Sequence, residues 1–182
     1  MKISDCHIPG ILIIEPNVFA DSRGYFFESY NKEVFQIAGI TEEFIQDNQS
    51  LSQKNVLRGL HFQNPPFAQA KLVRIIKGAV LDVAVDIRKN SPTYGKYIAM
   101  ELNEKNKTML YIPTGFAHGF LTLENDTIFS YKCSKTYNKE SEGSILWCDK
   151  TLNIQWNCTN PIISAKDEIA PNFENFISQF TF

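Results

Sequence analysis

Short strand-forming runs, repeatedly interrupted by turns, restrict the fold of this chain more than any other feature. The runs include YFFES, VLRGLHF, KLVRII, YIAMEL, TMLYI and TIFSYKC, and turn-forming stretches such as NPP, KNSPTYG and PTG lie between them. Short strands at such spacing are typical of antiparallel sandwiches and barrels. We therefore predict an all-β fold.

The segment Val80–Ile87 shows the strand pattern most clearly. Asp82 and Asp86 fall on the opposite face from a row of apolar side chains, namely Leu81, Val83, Val85 and Ile87. Alternation with a period of two is the signature of a β-strand that presents different surroundings to its two faces.

Two short helices are expected at the periphery of the strands. In the first, residues 31–39, Asn31 is a favourable N-cap and Gly39 a favourable terminator. The second covers residues 172–180, where apolar side chains recur at helical spacing: Phe173, Phe176, Ile177 and Phe180.

The composition of the chain disfavours several functional classes. Of its 182 residues, 43% are hydrophobic and 21% are charged, with a formal net charge of -2, a profile typical of a soluble globular protein. No repeat or linker divides the chain, so we predict one domain, residues 1–182. Scattered Lys and Arg residues disfavour nucleic-acid binding. The apolar run Ile11–Ile14 is too short for a signal peptide or a membrane span, so no membrane partner is expected.

The cysteines show no pattern of a disulfide framework or a metal site. Cys6, Cys133, Cys148 and Cys158 form no CxxC pair and no ligand spacing. Without a secretory signal, we expect them to be reduced thiols in a cytoplasmic protein.

The run RGLHFQ, residues 58–63, places three polar side chains in a strand that otherwise has a buried character. Strict alternation separates Arg58 from His61 and Gln63, whereas a bulge at Gly59 would reset the register. Because burying unpaired polar groups costs free energy, these residues predict a lined cavity. From this run alone, His61 is either a catalytic or a structural histidine.

Lys71 in QAKLV and His118 in GFAHGF add two further polar groups in strand-like sequence. A β-sandwich metalloenzyme commonly presents an HxH pair, a downstream Glu and a later His, but this chain has His61-x-Gln63 instead. Lys71 would place a cation where a metal needs an anion. We therefore expect no metal site.

Six ordered stretches, spread over nearly the whole chain, carry a resemblance to a known family: FADSRGYFFE, QDNQSLS, VLRGLHFQ, QAKLVRIIKGAVLDVAVDIR, IPTGFAHGF and SAKD. Together they resemble the dTDP-4-dehydrorhamnose 3,5-epimerase family. The resemblance implies a cupin-like jelly-roll sandwich or barrel. It also implies cofactor-free inversion of C3 and C5 of dTDP-4-keto-6-deoxy-D-glucose, through enolates, to give dTDP-4-keto-L-rhamnose for dTDP-L-rhamnose biosynthesis.

The same resemblance assigns catalytic roles. It implies that His61 is the base, that Asp167 orients its ring, and that Tyr131 is the proton donor. Lys71 would lie near the oxyanion at O4, with His118 beside it. Judged without the resemblance, Asp167, Tyr131 and Lys71 are each ordinary structural or surface residues.

Further positions match the family's ligand contacts. Arg23 and Arg58 are implied to bind the pyrophosphate, and Tyr137 to stack on thymine. The remaining matched positions are Glu28, Gln46, Asp47, Asn48, Glu142 and Lys166. The family typically forms strand-exchanged dimers in which one subunit helps to complete the other's site, so a homodimer is expected.

Three alternatives stay open. A related epimerase acting only at C3 or C5, or on another nucleotide sugar, would carry nearly the same sequence. A non-catalytic sugar-nucleotide binding module is expected to lack His61, Tyr131 or Asp167, and this chain has all three. A metal-dependent enzyme would contain stoichiometric metal when purified.

Overall fold

Thirteen strands form the framework of the structure, a computed structural model that describes residues 1–182. The strands are β1 (Lys2–Asp5), β2 (Leu12–Glu15), β3 (Phe19–Asp21), β4 (Gly24–Phe26), β5 (Gln46–Ser52), β6 (Leu57–Gln63), β7 (Lys71–Lys77), β8 (Ala79–Asp86), β9 (Tyr97–Asn103), β10 (Met109–Ile112), β11 (Phe116–Thr122), β12 (Thr127–Cys133) and β13 (Glu142–Ser144). The helices are α1 (Lys32–Ile37) and α2 (Ala165–Glu168), with 3-10 turns at Lys139–Ser141 and Phe173–Asn175.

The strands form two antiparallel sheets that face each other, with a separate hairpin of β3 and β4. The six-stranded sheet has the order β1-β2-β10-β7-β12-β5, and the five-stranded sheet has the order β13-β6-β11-β8-β9. The prediction of an all-β antiparallel sandwich is therefore confirmed. None of the helices has the length and apolar character needed to cross a membrane.

Three apolar layers hold the sheets. Side chains of both sheets, such as Val73 and Phe116, fill the space between them. The outer face of the five-stranded sheet is covered by the C-terminal segment through Trp156, Phe173 and Phe180. The outer face of the six-stranded sheet packs on α1 and the segment around Ile40. Both faces of each sheet are thus largely covered by apolar side chains. Polar groups between the sheets are therefore exceptions to an otherwise apolar interior.

Strand β8 follows the predicted alternation, but its apolar row does not face the opposite sheet. Val83 and Val85 pack in the outer layer beneath the C-terminal segment. Asp82 and Asp86, both fully buried, lie on the face between the sheets. Both acidic side chains of β8 therefore point into the interior.

A bulge at Gly59 sets the register of β6 against β11. His61 pairs with His118 and Arg58 pairs with Phe120, so Gly59 and Leu60 together lie opposite the single residue Gly119. Gly59 has a φ of 142°, and a Cβ there would lie 2.5 Å from the Cα of Gly119. Only glycine fits this approach. As a result, Arg58 and His61 reach the same cavity.

One helix prediction is confirmed and the other is wrong. Helix α1 begins at Lys32, and the Asn31 side chain caps it by accepting from the backbone N–H of Glu33 and of Val34. Residues 172–180 form only a 3-10 turn at Phe173–Asn175, followed by a segment without regular secondary structure. The backbone N–H of Lys89 donates to the Phe180 carbonyl, which ties this segment to the residues that follow β8. All four cysteines are free, as predicted.

Candidate active site

A cavity of about 220 Å³ lies between the two sheets, and the polar residues of the central strands line it. Its lining residues are Gln49, Ser50, Arg58, His61, Lys71, His118, Phe120, Phe129 and Tyr131. Five of the residues proposed from the sequence are thus brought together from four strands of the two sheets: Arg58, His61, Lys71, His118 and Tyr131.

His61 forms a close pair with Asp167 at the wall formed by β6. The Nε2 atom of His61 lies 2.6 Å from Oδ1 of Asp167. Asp167 comes from the short helix α2, which begins after Ser164, whose hydroxyl accepts from the Asp167 backbone N–H. The side chain of His61 is 33% exposed, whereas that of Asp167 is 3% exposed. The ring therefore faces the cavity with its carboxylate partner behind it.

The hydrogen bonding of this pair suits a base. Burial alone would raise the pKa of Asp167, but hydrogen bonds from His61, Ser164 and the Gly59 backbone outweigh it and hold the pKa below its usual value. The ionised carboxylate only accepts hydrogen bonds, so Nε2 of His61 carries the shared proton. The other ring nitrogen, Nδ1, is then the one that can accept a proton from a ligand.

A second histidine–carboxylate pair lies beside the first. Nε2 of His118 lies 3.1 and 3.0 Å from the two carboxylate oxygens of Asp82, and both residues are buried. Burial lowers the pKa of His118, and the charge of Asp82 offsets this only in part. His118 is therefore a neutral hydrogen-bonding group at neutral pH, fixed in one orientation.

Lys71 stands on the six-stranded sheet, opposite this second pair. Enclosure in the cavity lowers the pKa of the Lys71 ammonium, while the charges of Cys133 and Asp82 act in the opposite direction. Its Nζ lies 5.9 Å from the centre of the Tyr131 ring. Lys71 therefore lies on the face of β7 that lines the cavity. The sequence did not decide between the two faces.

Tyr131 lies on β12, across the cavity from His61. Burial raises the pKa of its phenol, and the charge of Cys133 adds to the effect. Its ring packs edge-on against Phe129 at a centroid distance of 5.8 Å. The phenol is thus a protonated group on the wall that faces the His61 wall.

The nucleotide-binding candidates divide into those near the cavity and those away from it. The Nε of Arg58 donates to the Ser52 hydroxyl at 3.2 Å. At the rim, Glu142 forms an ion pair with Lys166 and accepts from the Tyr137 hydroxyl at 3.2 Å. Burial would raise the pKa of Glu142, but its bonds to Lys166 and Tyr137 lower it.

Two other candidates from the sequence, Gln46 and Asn48, are joined by a side-chain hydrogen bond of 3.0 Å on β5. Register places Gln46 beside Cys133 and Asn48 beside Tyr131. They therefore lie close to the residues that line the cavity.

Three candidates lie elsewhere and pair with other groups. Arg23 forms an exposed ion pair with Asp21 at 2.6 Å in the β3–β4 hairpin. The Glu28 carboxylate accepts from Asn31 at 3.0 Å, and Asp47 pairs with Lys132 at 2.9 Å. None of them lines the cavity within this chain.

Sequence reasoning missed some residues of the site and misplaced one. Asp82 was noted only for its place in the alternating pattern of β8. Its position opposite a row of apolar residues was a signal that it could belong to the site. Ser52 was not considered as a support for Arg58. Gln63 was expected to share the cavity with His61, and this was wrong, because its amide instead bonds the backbone of residues 136–138.

The residues of the cavity do not form a metal-ligand set. No group of three or more His, Cys, Asp or Glu side chains is arranged to hold a metal ion. His61 and His118 share their wall with carboxylates that already bond them, and Lys71 adds a cationic side chain.

Comparison with known proteins gives one consistent family. The model of the family described as dTDP-4-dehydrorhamnose 3,5-epimerase matches residues 5–175. The enzyme of that name from Shigella flexneri is 53% identical over 168 residues, which cover 92% of this chain and 93% of that protein.

Solved structures agree with the sequence comparison. The crystal structure of dTDP-4-dehydrorhamnose 3,5-epimerase from Elizabethkingia anophelis NUHP1 has a TM-score of 0.91 at 49% identity and covers 96% of this chain and 97% of that one. The dTDP-6-deoxy-D-glucose-3,5-epimerase RmlC from Legionella pneumophila Philadelphia 1, in complex with dTDP-4-keto-L-rhamnose, has a TM-score of 0.92 at 43% identity and covers 97% and 94%.

Proposed function

The chain belongs to the dTDP-4-dehydrorhamnose 3,5-epimerase family, and we propose that its cavity converts dTDP-4-keto-6-deoxy-D-glucose to dTDP-4-keto-L-rhamnose, for dTDP-L-rhamnose biosynthesis. The Legionella relative in complex with dTDP-4-keto-L-rhamnose supports this sugar. One observation carries the proposal: His61 and Tyr131 stand on facing sheets and line the same cavity. Inversion at a carbon needs a base on one face of the sugar and an acid on the other.

The first step removes a proton next to the ketone. C3 and C5 both flank the C4 carbonyl, which acidifies their protons. Nδ1 of His61 takes the proton, the C–H electron pair forms a C=C bond, and the carbonyl π electrons move to O4. Asp167 then stabilises the imidazolium through the 2.6 Å contact. No electrons leave the sugar, so the step requires no redox cofactor.

The oxyanion on O4 needs positive or hydrogen-bonding groups. Lys71 and His118 approach the cavity from opposite sheets. The ammonium of Lys71 supplies charge in an enclosed site, where such stabilisation exceeds its value in water. Asp82 accepts the one N–H of the neutral His118 ring and keeps that ring fixed, so Lys71 supplies the stabilising charge at O4 and His118 lies beside it.

The second step delivers a proton from the opposite side. The Tyr131 O–H bond breaks and a C–H bond forms on the face away from His61, while the enolate electrons return to C4=O. The raised pKa of the phenol makes it a strong proton acceptor after the transfer, so it regains a proton from solvent. His61 releases the proton it took to solvent, and repetition at the second carbon then completes the double inversion.

The nucleotide is placed at the open rim. Arg58 suits the pyrophosphate because a guanidinium binds phosphate oxygens in a bidentate manner. Tyr137, a 55% exposed residue, offers an aromatic face for thymine. Glu142 and Lys166, which meet beside it, are positioned to contact the sugar and phosphates.

We also propose that the protein is a homodimer. Phe19, Tyr25 and Phe26 of the β3–β4 hairpin are 65%, 59% and 67% exposed, and exposed apolar rings mark interaction surfaces. A second copy would cover them and bring Arg23 to a cavity that it does not reach within one chain. Light scattering should give twice the chain mass of 20.8 kDa, and an active monomer would contradict this.

We place this single-domain enzyme in the cytoplasm. Its free cysteines suit a reducing compartment. Fractionation of cells that express the chain tests the assignment, and recovery with secreted or membrane fractions would contradict it.

Conversion of the substrate in D₂O tests the proposed reaction. NMR should show deuterium at both C3 and C5, together with inversion at both carbons. Labelling and inversion at only one carbon would identify a mono-epimerase instead, and an absence of labelling with dTDP bound would identify a binding module.

A further inference from the structure

The segment Lys135–Asn138, which carries Tyr137, lies outside every strand and is held by glutamine side chains. It connects the end of β12 to the 3-10 turn at Lys139–Ser141. No main-chain hydrogen bond reaches the N–H or C=O groups of Lys135, Thr136 or Tyr137. These three residues are exposed, and side chains from other strands and a neighbouring loop bond several of their backbone groups.

Three glutamines satisfy consecutive backbone groups of this segment. Nε2 of Gln69 donates to the Lys135 carbonyl at 2.8 Å, and Nε2 of Gln63 donates to the Thr136 carbonyl at 3.3 Å. The backbone N–H of Tyr137 donates to Oε1 of Gln46 at 2.9 Å, and that of Asn138 donates to Oε1 of Gln63 at 2.6 Å. We refer to Gln46, Gln63 and Gln69 as the glutamine clamp.

Gln63 is the central member of the glutamine clamp. It is 5% exposed and ends strand β6, two residues after His61. Besides its two bonds on either side of Tyr137, its Nε2 donates to the Phe67 carbonyl at 2.8 Å. An amide carries both a donor and an acceptor, and a carboxylate or an apolar side chain of similar size carries at most one of them.

The ring of Tyr137 has little other support. It forms no aromatic pair, and its only side-chain hydrogen bond is the one to Glu142 at 3.2 Å. The direction in which the ring points is therefore set mainly by the backbone that the glutamine clamp holds.

We propose that Gln63, with Gln46 and Gln69, is a positioning residue that presents Tyr137 to the nucleobase. This inference rests on the proposed function, in which Tyr137 stacks on thymine. Gln63 lies two residues after His61 on β6. It therefore links the position of the nucleobase to that of the catalytic histidine. Substitution of Gln63 should weaken nucleotide binding while leaving the proton-transfer groups in place.

The test compares dTDP binding by calorimetry in four proteins: the parent, Gln63→Leu, Tyr137→Ala and the double variant. Loss of a base–aromatic stack weakens binding by about tenfold, and we expect that loss for Tyr137→Ala. Gln63→Leu should lose several-fold, raise KM and keep kcat close to the parent value. The double variant should bind no more weakly than Tyr137→Ala, because Gln63 acts through Tyr137. Affinity for inorganic pyrophosphate should stay unchanged in all four.

Controls separate this inference from the proposed function. Gln155→Leu, which changes an exposed glutamine bonded to Asn153, should bind dTDP like the parent. If Tyr137→Ala binds dTDP normally, the stacking assignment is wrong and the inference falls with it. If Tyr137→Ala is weakened but Gln63→Leu is not, or if the two losses multiply in the double variant, the inference alone is wrong. If circular dichroism shows that Gln63→Leu does not fold, Gln69→Leu is tested in its place. We expect it to lose less dTDP affinity than Gln63→Leu would, and an affinity equal to that of the parent would contradict the inference.

Discussion

Nε2 of His118 bonds both carboxylate oxygens of Asp82, at 3.1 and 3.0 Å, deep between the sheets and beside Lys71. This arrangement places a fixed negative charge behind His118 and near Lys71, the group that is proposed to meet the developing oxyanion. The charge balances the Lys71 ammonium and holds the imidazole ring in one direction. Asp82 touches no substrate itself, but it controls the charge balance at Lys71 and the orientation of His118.

Asp82→Asn should therefore alter both activity and its pH dependence. The charge of Asp82 raises the pKa of Lys71 against the effect of enclosure, so its removal lowers that pKa further. Because the ammonium form stabilises the oxyanion, the alkaline limb of kcat should move to lower pH. Steady-state pH profiles measure this shift. Asp126→Asn, an exposed control, should leave the profile unchanged, and an alkaline shift in Asp82→Asn would contradict the assignment.

Asp167→Asn should impair both catalysis and stability. The imidazolium of His61 would lose its charged partner, and a comparable change in a histidine–aspartate dyad lowers kcat by up to ~10⁴-fold. The pKa of Asp167 is lowered in the folded protein, so its stabilising contribution is present above the unfolded pKa and is lost as the pH falls through the folded pKa. Urea unfolding should show the variant less stable at pH 7, by about 1–3 kcal/mol, with the difference shrinking in acid. An equal difference at all pH values would contradict this.

Gly59→Ala should destabilise the protein more than a matched change at Gly24. Both glycines have positive φ, 142° and 129°, but a Cβ at Gly59 meets the backbone of Gly119, whereas one at Gly24 meets nothing within 4 Å. Backbone strain alone costs about 1–3 kcal/mol, so Gly24→Ala should lose about that much and Gly59→Ala clearly more. Denaturant midpoints compare them. Equal losses would show that the bulge tolerates a side chain.

Activity should survive chelation. The side chains around His61 and His118 include the cationic Lys71 and form no metal-ligand set. Treatment with EDTA should leave kcat within experimental error. Loss of activity that a divalent metal restores would support the metal-dependent alternative.

Much of the fold was accessible from the sequence because its signals are local. Alternation in β8, the Asn31 cap and the possibility of a bulge at Gly59 each depend on neighbouring residues. The prediction of a C-terminal helix was wrong because tertiary contacts outweigh the helical spacing of the phenylalanines. Phe173 and Phe180 pack in the outer apolar layer, and the Lys89 N–H donates to the Phe180 carbonyl.

The site was predicted less completely for a similar reason. His61 and Tyr131 were identified by family resemblance, and the structure gathers them in one cavity. The pairing of Asp82 with His118 depends on strand register, and the bonds from Gln63 to residues 136–138 depend on where a distant loop returns. Nothing local in the sequence specifies either contact.

The opposed placement of His61 and Tyr131 is tested most directly by NMR of dTDP-4-keto-6-deoxy-D-glucose in D₂O with the two single variants, each checked for folding by circular dichroism. His61→Ala should exchange neither C3 nor C5 at an appreciable rate, because general base catalysis is typically worth ~10²–10⁴-fold. Tyr131→Phe should still exchange, since His61 can remove a proton and return deuterium to the same face, and it should give labelled starting sugar with little inverted product. Inversion of C5 by Tyr131→Phe at close to the parental rate, or free exchange by His61→Ala, would contradict the account.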